Sequence, residues 1–211
     1  MQYTIHRRLW AATAGGVTAL LIAIAAAPVV AQVPVATKIF ENAQYRYAVA
    51  LPEGCRHEEG PGTVDAVCSP DLDPERSAAA SNVRALVLEV GAEVVADDAG
   101  KTAGELARRY GEATFRAELP ETICGESDQA RAKIDNVKQL LEETRVVYTA
   151  DVVCAEVRFL QVGERRASVR FLIAPDVRYR LFARAPAEDY EKQRGTIESF
   201  FASFRALPAG R

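Results

Sequence analysis

The sequence predicts an α+β domain, an antiparallel sheet flanked by helices. Three observations carry this expectation. Residues 145 to 184 read as consecutive β-rich segments separated by short breaks. A helix with its own capping signal precedes them, and a helix with a strong apolar stripe follows them. The chain also opens with an export leader, so the folded domain is what remains after it.

The leader is legible residue by residue. Arg7 and Arg8 form a basic n-region, Val17 to Ala27 an apolar h-region, and Val29 and Ala31 the small −3 and −1 residues of a cleavage site. Cleavage after Ala31 leaves one domain, 32–211, exported by a Sec-type route to the periplasm or beyond. The competing reading is an uncleaved anchor. Thr13, Gly15, Gly16 and Thr18 dilute that span, and Pro28 breaks its end. After cleavage no stable membrane insertion is expected. The Arg7–Arg8 pair also fits twin-arginine export, but its flanks match that signal poorly. A lipoprotein needs a cysteine just after the h-region, and the first is Cys55.

The leader holds two of the 26 basic residues and none of the 29 acidic ones, so the remainder carries a formal −5. That balance argues against nucleic acid as a partner. Trp10 and Met1, the only residues of their types, leave with the leader, and His57 becomes the sole histidine.

Along the domain, Gln32 to Lys38 reads as a lead-in and Tyr45 to Leu51 as a strand, stopped by the Pro52-Glu53-Gly54 turn. Thr63 to Cys68 is a second short strand. Ser69 to Ala80, with Pro70 and Pro74, reads as a loop. Val83 to Val95 is expected as a long strand that Gly91 can break. Thr102-Ala103-Gly104-Glu105 is a capping box that opens a helix with Leu106, Tyr110 and Ala113 on one stripe, closed by Pro120 and Cys124–Gly125. Asp128 to Glu143 reads as a helix presenting Ile134, Val137 and Leu141 on one face. Strands then follow at Arg145 to Val153, Glu156 to Val162, Ala167 to Ile173 and Val177 to Arg184, with hairpin turns at Gly163-Glu164 and Pro175-Asp176. If Val169, Phe171 and Ile173 share a face with Val177, Tyr179 and Leu181, paired residue numbers sum to an even value. A three-residue loop, Ala174 to Asp176, delivers that register. Ala187 to Phe204 closes the fold as a helix with Tyr190, Ile197, Phe200, Phe201 and Phe204 on its apolar stripe, and Pro208 ends the domain.

Four cysteines allow three pairings. Cys55 and Cys68 bracket a Gly- and Pro-rich loop and are the easiest closure, which leaves Cys124 with Cys154. No C-x-x-C pair exists, so neither a metal-thiolate site nor a redox pair is expected. No cofactor is indicated.

The polar face of the second hairpin carries Ser168, Arg170, Arg178, Arg180 and Arg184. These four guanidiniums are the candidate site for an anionic ligand or an acidic envelope protein. The plainer reading is a solvated face, or one covered by a helix bearing Glu105 and Glu112. Asp71, Asp73 and Glu75 alternate like a calcium loop, but Arg76 and Asn82 stand where glycine and glutamate belong. His57 has no nucleophile signature to serve, and no carboxylate pair stands out. No catalytic residue is therefore assigned.

Val162-Gly163-Glu164, Ala167 to Ala174, Tyr179 to Pro186 and Tyr190 to Arg205, ending in Ser203-Phe204, together resemble the PsbP/DcrB-like group. Tyr47 to Pro52, a strand closing on Leu-Pro, is also similar. The resemblance implies a PsbP-like α/β/α sandwich and a non-catalytic accessory or binding role, and it transfers no functional residue. The sequence thus points to an exported, non-enzymatic binding or accessory domain. Its alternatives are a secreted hydrolase with a non-standard active site and a purely structural envelope protein.

Overall fold

Two residues of opposite habit, proline then a residue with positive φ, make two of the tight turns in the main sheet. Pro61–Gly62 joins β3 (Arg56–Gly60) to β4 (Thr63–Cys68), and Gly62 has φ +74°. A Cβ there would lie 2.5 Å from the Ala92 carbonyl oxygen, so only glycine fits. Pro175–Asp176 plays the same part later, with Asp176 at φ 73°. The computed structural model describes residues 36–68, 85–124, 132–158 and 161–208, all within one compact unit, Val33–Arg211. The expected leader, the Ser69–Ala80 loop and the Asp71–Glu75 alternation lie outside the described residues.

Among the described residues, ten strands form two antiparallel sheets. β1 (Thr37–Asn42), β2 (Tyr47–Pro52) and β10 (Arg205–Ala206) make a small sheet in the order β1-β2-β10. The large sheet has the order β3-β4-β5-β9-β8-β7-β6. It adds β5 (Leu86–Val95), β6 (Lys133–Leu141), β7 (Val146–Arg158), β8 (Gln161–Ala174) and β9 (Asp176–Pro186). Helices α1 (Ala103–Arg109) and α2 (Glu112–Cys124) pack on one face of it, and the short α3 (Ala187–Tyr190) and α4 (Arg194–Ser203) follow β9. The fold is α+β, with antiparallel sheets and helices, as the sequence predicts. No helix among the described residues is long and apolar enough to cross a membrane.

The large sheet is buried on both sides. On one face Leu106, Phe115, Leu119 and Ile123 of α1 and α2 meet Tyr148, Val169, Phe171 and Ile173. On the other, Ile197, Phe200 and Phe201 of α4 join Tyr47, Val49 and Leu51 of the small sheet against Leu88, Val90, Leu172, Tyr179 and Leu181. Burying one such side chain is worth about 1.5–3 kcal/mol, so these two layers dominate the stability.

Five expectations need correction. The segment read as the helix Asp128–Glu143 is strand β6 where described. Pairing slips by one residue between Asp135 and Lys138, and Asn136, at φ 52°, takes the left-handed position of a β-bulge. The extra residue brings Ile134 and Val137 onto the same face, packed beside α1 and α2. Three-residue spacing on one face looks helical, and here a bulge produces it. The hairpin turn expected at Gly163–Glu164 is absent: Gly163 pairs with Glu156 inside a ladder that runs on to Arg158↔Gln161. Pro120 does not end its helix, which continues to Cys124 with Leu119 and Ile123 buried, while a break at Tyr110–Gly111 divides α1 from α2. The Ala187–Phe204 helix is likewise two pieces, and Phe204 leaves it for β10.

The fifth correction decides the site. The β8–β9 turn has two residues, not three, and pairs such as Ile173↔Arg178 and Phe171↔Arg180 sum to an odd value. The even-sum register follows only if one face alone is apolar. Because helices and the small sheet cover both faces, alternation no longer selects the register.

The capping box at Thr102 forms in full: the Glu105 N–H donates to Thr102 Oγ1 at 3.3 Å and the Thr102 N–H to Glu105 Oε2 at 2.8 Å. Strand β5 runs unbroken through Gly91. Disulfides join Cys55 to Cys68 and Cys124 to Cys154, the second tying the end of α2 to β7.

Candidate functional site

The register separates the four arginines. Arg178, Arg180 and Arg184 pair with Ile173, Phe171 and Ala167, and so lie on the α1–α2 face. Arg170 pairs with Leu181 and lies on the α4 face. No single face carries all four, and the candidate site divides in two.

Arg178 is spoken for. Its Nη2 donates to Glu118 Oε2 of α2 at 2.8 Å, and its guanidinium sits 4.9 Å from the centre of the Tyr110 ring. The covering helix thus supplies Glu118 rather than Glu105 or Glu112. The Tyr110 hydroxyl in turn donates to Asp98, a fully buried carboxylate paired with Lys101 at 3.2 Å and Arg109 at 3.0 Å. Arg180 and Arg184 lie further along the same face. There Glu58, Asp65 and Glu89 stand directly opposite one another across β3, β4 and β5. Burial is the main cause that pushes the Asp65 and Glu89 carboxyls up; Glu58 adds to it at Asp65 against Arg56, and at Glu89 the pull of Arg184 opposes it while Asp65 adds to it.

Arg170 has a different setting. It helps line a groove of about 430 Å³ between α4 and the β6–β8 strands, together with Asn136, Lys138, Thr149, Asp151, Ser168 and Phe201. Its Nη1 donates to the Phe201 carbonyl oxygen at 3.2 Å, and its guanidinium lies 5.2 Å from the Phe201 ring centre. These contacts hold the side chain against α4. Burial lowers its hold on the proton, Glu142 works the other way and Arg145 adds to the lowering. Among the described residues neither Arg170 nor Lys138 is in a salt bridge.

The groove's carboxylate is satisfied within the lining. Asp151 accepts from Ser168 Oγ and from Asn136 Nδ2, each at 2.8 Å. Ser168 has one proton and gives it to Asp151, so the Tyr190 hydroxyl, 2.5 Å away, donates to Ser168. Burial raises the Tyr190 hydroxyl's pKa, opposed by the Ser168 bond and aided by Asp151. The bulge at Asn136 delivers its amide to Asp151, so the irregularity that disguised β6 also builds the groove wall. Sequence reasoning assigned Ser168 to the basic face and missed Asp151, Thr149 and Lys138. The available signal was the pair of polar residues, Thr149 and Asp151, alternating inside an otherwise apolar strand.

His57 lies elsewhere. On β3 it is hydrogen-bonded through Nε2 to the Pro52 carbonyl at 2.8 Å and rests against Phe40, ring centres 4.9 Å apart. Among the described residues no group of three potential metal ligands comes together.

No family model and no curated relative matches the chain. Among solved structures, the chain is similar to cyanobacterial PsbP (CyanoP) from Synechocystis sp. PCC 6803, at 14% identity and a TM-score of 0.48, covering 82% of this chain and 94% of that one. A crystal structure from Bacteroides thetaiotaomicron VPI-5482 matches at 14% identity and a TM-score of 0.45, over 82% of this chain and 50% of that one. The chain thus bears a weak structural resemblance to PsbP.

Proposed function

We propose that this chain is an exported, non-enzymatic binding domain that holds an anionic group in the groove between α4 and β6–β8. The observation that carries this is Arg170, a partly buried cation beside exposed Lys138, with no acidic side chain paired to either among the described residues. Removing a cation from water is costly without a counter-charge, and an incoming carboxylate or phosphate supplies one through charge-assisted hydrogen bonds. Two cations against one internally satisfied carboxylate leave the lining net positive. The lining holds a single carboxylate and no histidine, which supports binding over hydrolysis. The leader motif and the two disulfides support export to an oxidising compartment, the periplasm or beyond.

Titration with glutarate and with inorganic phosphate, followed by amide chemical shifts, tests the proposal. Saturable shifts centred on Thr149, Ser168 and Arg170, weakened by salt and lost in Arg170→Gln, are expected. The reading is overturned if neither anion binds, or if Arg170→Gln binds as the wild type does.

A further inference from the structure

The groove opens onto one edge of the large sheet. β6 is that edge, and among the described residues no strand pairs on its outer side. The Glu142 N–H donates to the Arg145 carbonyl at 2.9 Å, making 142↔145 a hydrogen-bonded pair. Such pairs alternate along an antiparallel ladder. Leu141↔Val146 and Gln139↔Tyr148 are therefore non-bonded pairs, and Gln139 and Leu141 turn their N–H and C=O groups outward. Beyond them the bulge and Lys133 spoil the edge, devices that discourage indiscriminate pairing. The stretch Lys138–Leu141 stays regular. It ends in two exposed leucines, Leu140 at 58% and Leu141 at 56%, one on each face of the sheet.

We infer that an extended acidic segment of a partner protein adds to β6 at Lys138–Leu141 and places a carboxylate over the groove. The inference rests on the groove reading above and names its ligand class. Main-chain bonds to Gln139 and Leu141 give such a strand its register. That register sets an acidic residue opposite Lys138, within the field of Arg170, and apolar residues opposite Leu140 and Leu141. The recognition pattern is an acidic residue, one free position, then two apolar residues, or its reverse if the strands run antiparallel. Charge favours this occupant, since the groove at this edge is cationic while the chain as a whole is acidic.

The probe is an end-capped peptide, threonine–glutamate–threonine–valine–valine–threonine–glutamate–threonine, whose symmetry serves both strand directions. Binding is expected with new exchange protection at the Gln139 and Leu141 amides. A peptide with lysine for both glutamates, and the Lys138→Glu protein with the original peptide, should each bind at least about tenfold more weakly. Gln139→Pro, which removes an outward N–H and no ladder bond, should lose the peptide yet still bind glutarate; far-ultraviolet circular dichroism confirms that it folds. Glutarate binding without peptide binding overturns the strand-addition inference and leaves the groove reading standing, whereas loss of both overturns both. Equal affinity for the lysine peptide, or protection elsewhere than β6, also overturns the inference. So does a concentration-dependent dimer protecting the same amides without peptide, which would make a second copy the occupant.

Discussion

Replacing Arg178 with glutamine tests the division of the arginines most directly. Its side chain is 15% exposed and that of its partner Glu118 is 34% exposed. Stripping one member from a fully buried pair costs about 3–5 kcal/mol. Here water reaches the stranded Glu118, so the loss falls closer to a charged hydrogen bond, about 1.5–3 kcal/mol. The stacking on Tyr110 contributes about 0.5–1 kcal/mol more. A total of about 2–4 kcal/mol is expected, which for a domain of this size is roughly 4–16 °C in Tm. The assay is urea unfolding of the disulfide-intact protein, reading a lower midpoint at unchanged slope. A double-mutant cycle with Glu118→Gln should recover a coupling of about 1–2 kcal/mol. Arg180→Gln is the internal control: it shares the face but has no ion pair among the described residues, and should stay within about 0.5 kcal/mol of wild type. A loss below about 0.5 kcal/mol at Arg178 would refute the account of a covered, structural arginine.

Glu89→Gln should stabilise the protein at neutral pH, by up to about 1 kcal/mol, because burial disfavours the charged carboxylate and the opposed Asp65 adds to that, against the pull of Arg184. The Glu89 carboxyl is raised in the folded state, so the fold binds its proton more tightly. Stability attributable to it is therefore full below the unfolded pKa and is lost as pH rises through the folded one; a gain that persists unchanged at acid pH contradicts this. Replacing Cys124 and Cys154 with alanine should cost about 0.7 kcal/mol more than replacing Cys55 and Cys68 on chain entropy alone, from loops spanning 30 and 13 residues. Buried Cys154 widens that gap, and equal denaturant losses would contradict the ranking. Cleavage after Ala31 should yield an exported protein without tryptophan fluorescence, since Trp10 is the only tryptophan; intact mass checks it, and a membrane-bound species retaining 1–31 contradicts it.

Local chemistry was readable and paired geometry was not. The Thr102–Glu105 cap and the Ile197–Phe200–Phe201 stripe depend on neighbours three or four residues away, and both stand in the structure. Strands β1 and β3 were missed because edge strands bury little: Phe40 is the one buried residue of β1, and β3 has none. β10 spans two exposed residues, too few to show any period. The groove was hidden for a related reason. Asp151 and Ser168 lie 17 residues apart and meet only through the β7–β8 register, while Asn136 joins them only through a bulge. The division of the arginines hung on one residue of turn length at Pro175–Asp176, which is below what alternation can resolve once both faces of a strand are buried.

The pairing of β10 with β2 sets an order of events. Arg205 lies against Ala48, Ala206 against Tyr47, and the Leu207 N–H donates to the Arg46 carbonyl at 2.7 Å. Between these partners stands nearly all of the described chain, and the helix just before β10 fills one of the two cores. A chain emerging amino end first, from a ribosome or a translocation pore, must wait with Tyr47, Val49 and Leu51 only partly covered until Ile197, Phe200 and Phe201 have followed. Each disulfide closes over a short stretch and can form during that wait, yet neither bridges its two ends. The interval before the last helix arrives is when this protein most needs a holding chaperone, and its length grows with every slowing of the carboxyl-terminal third.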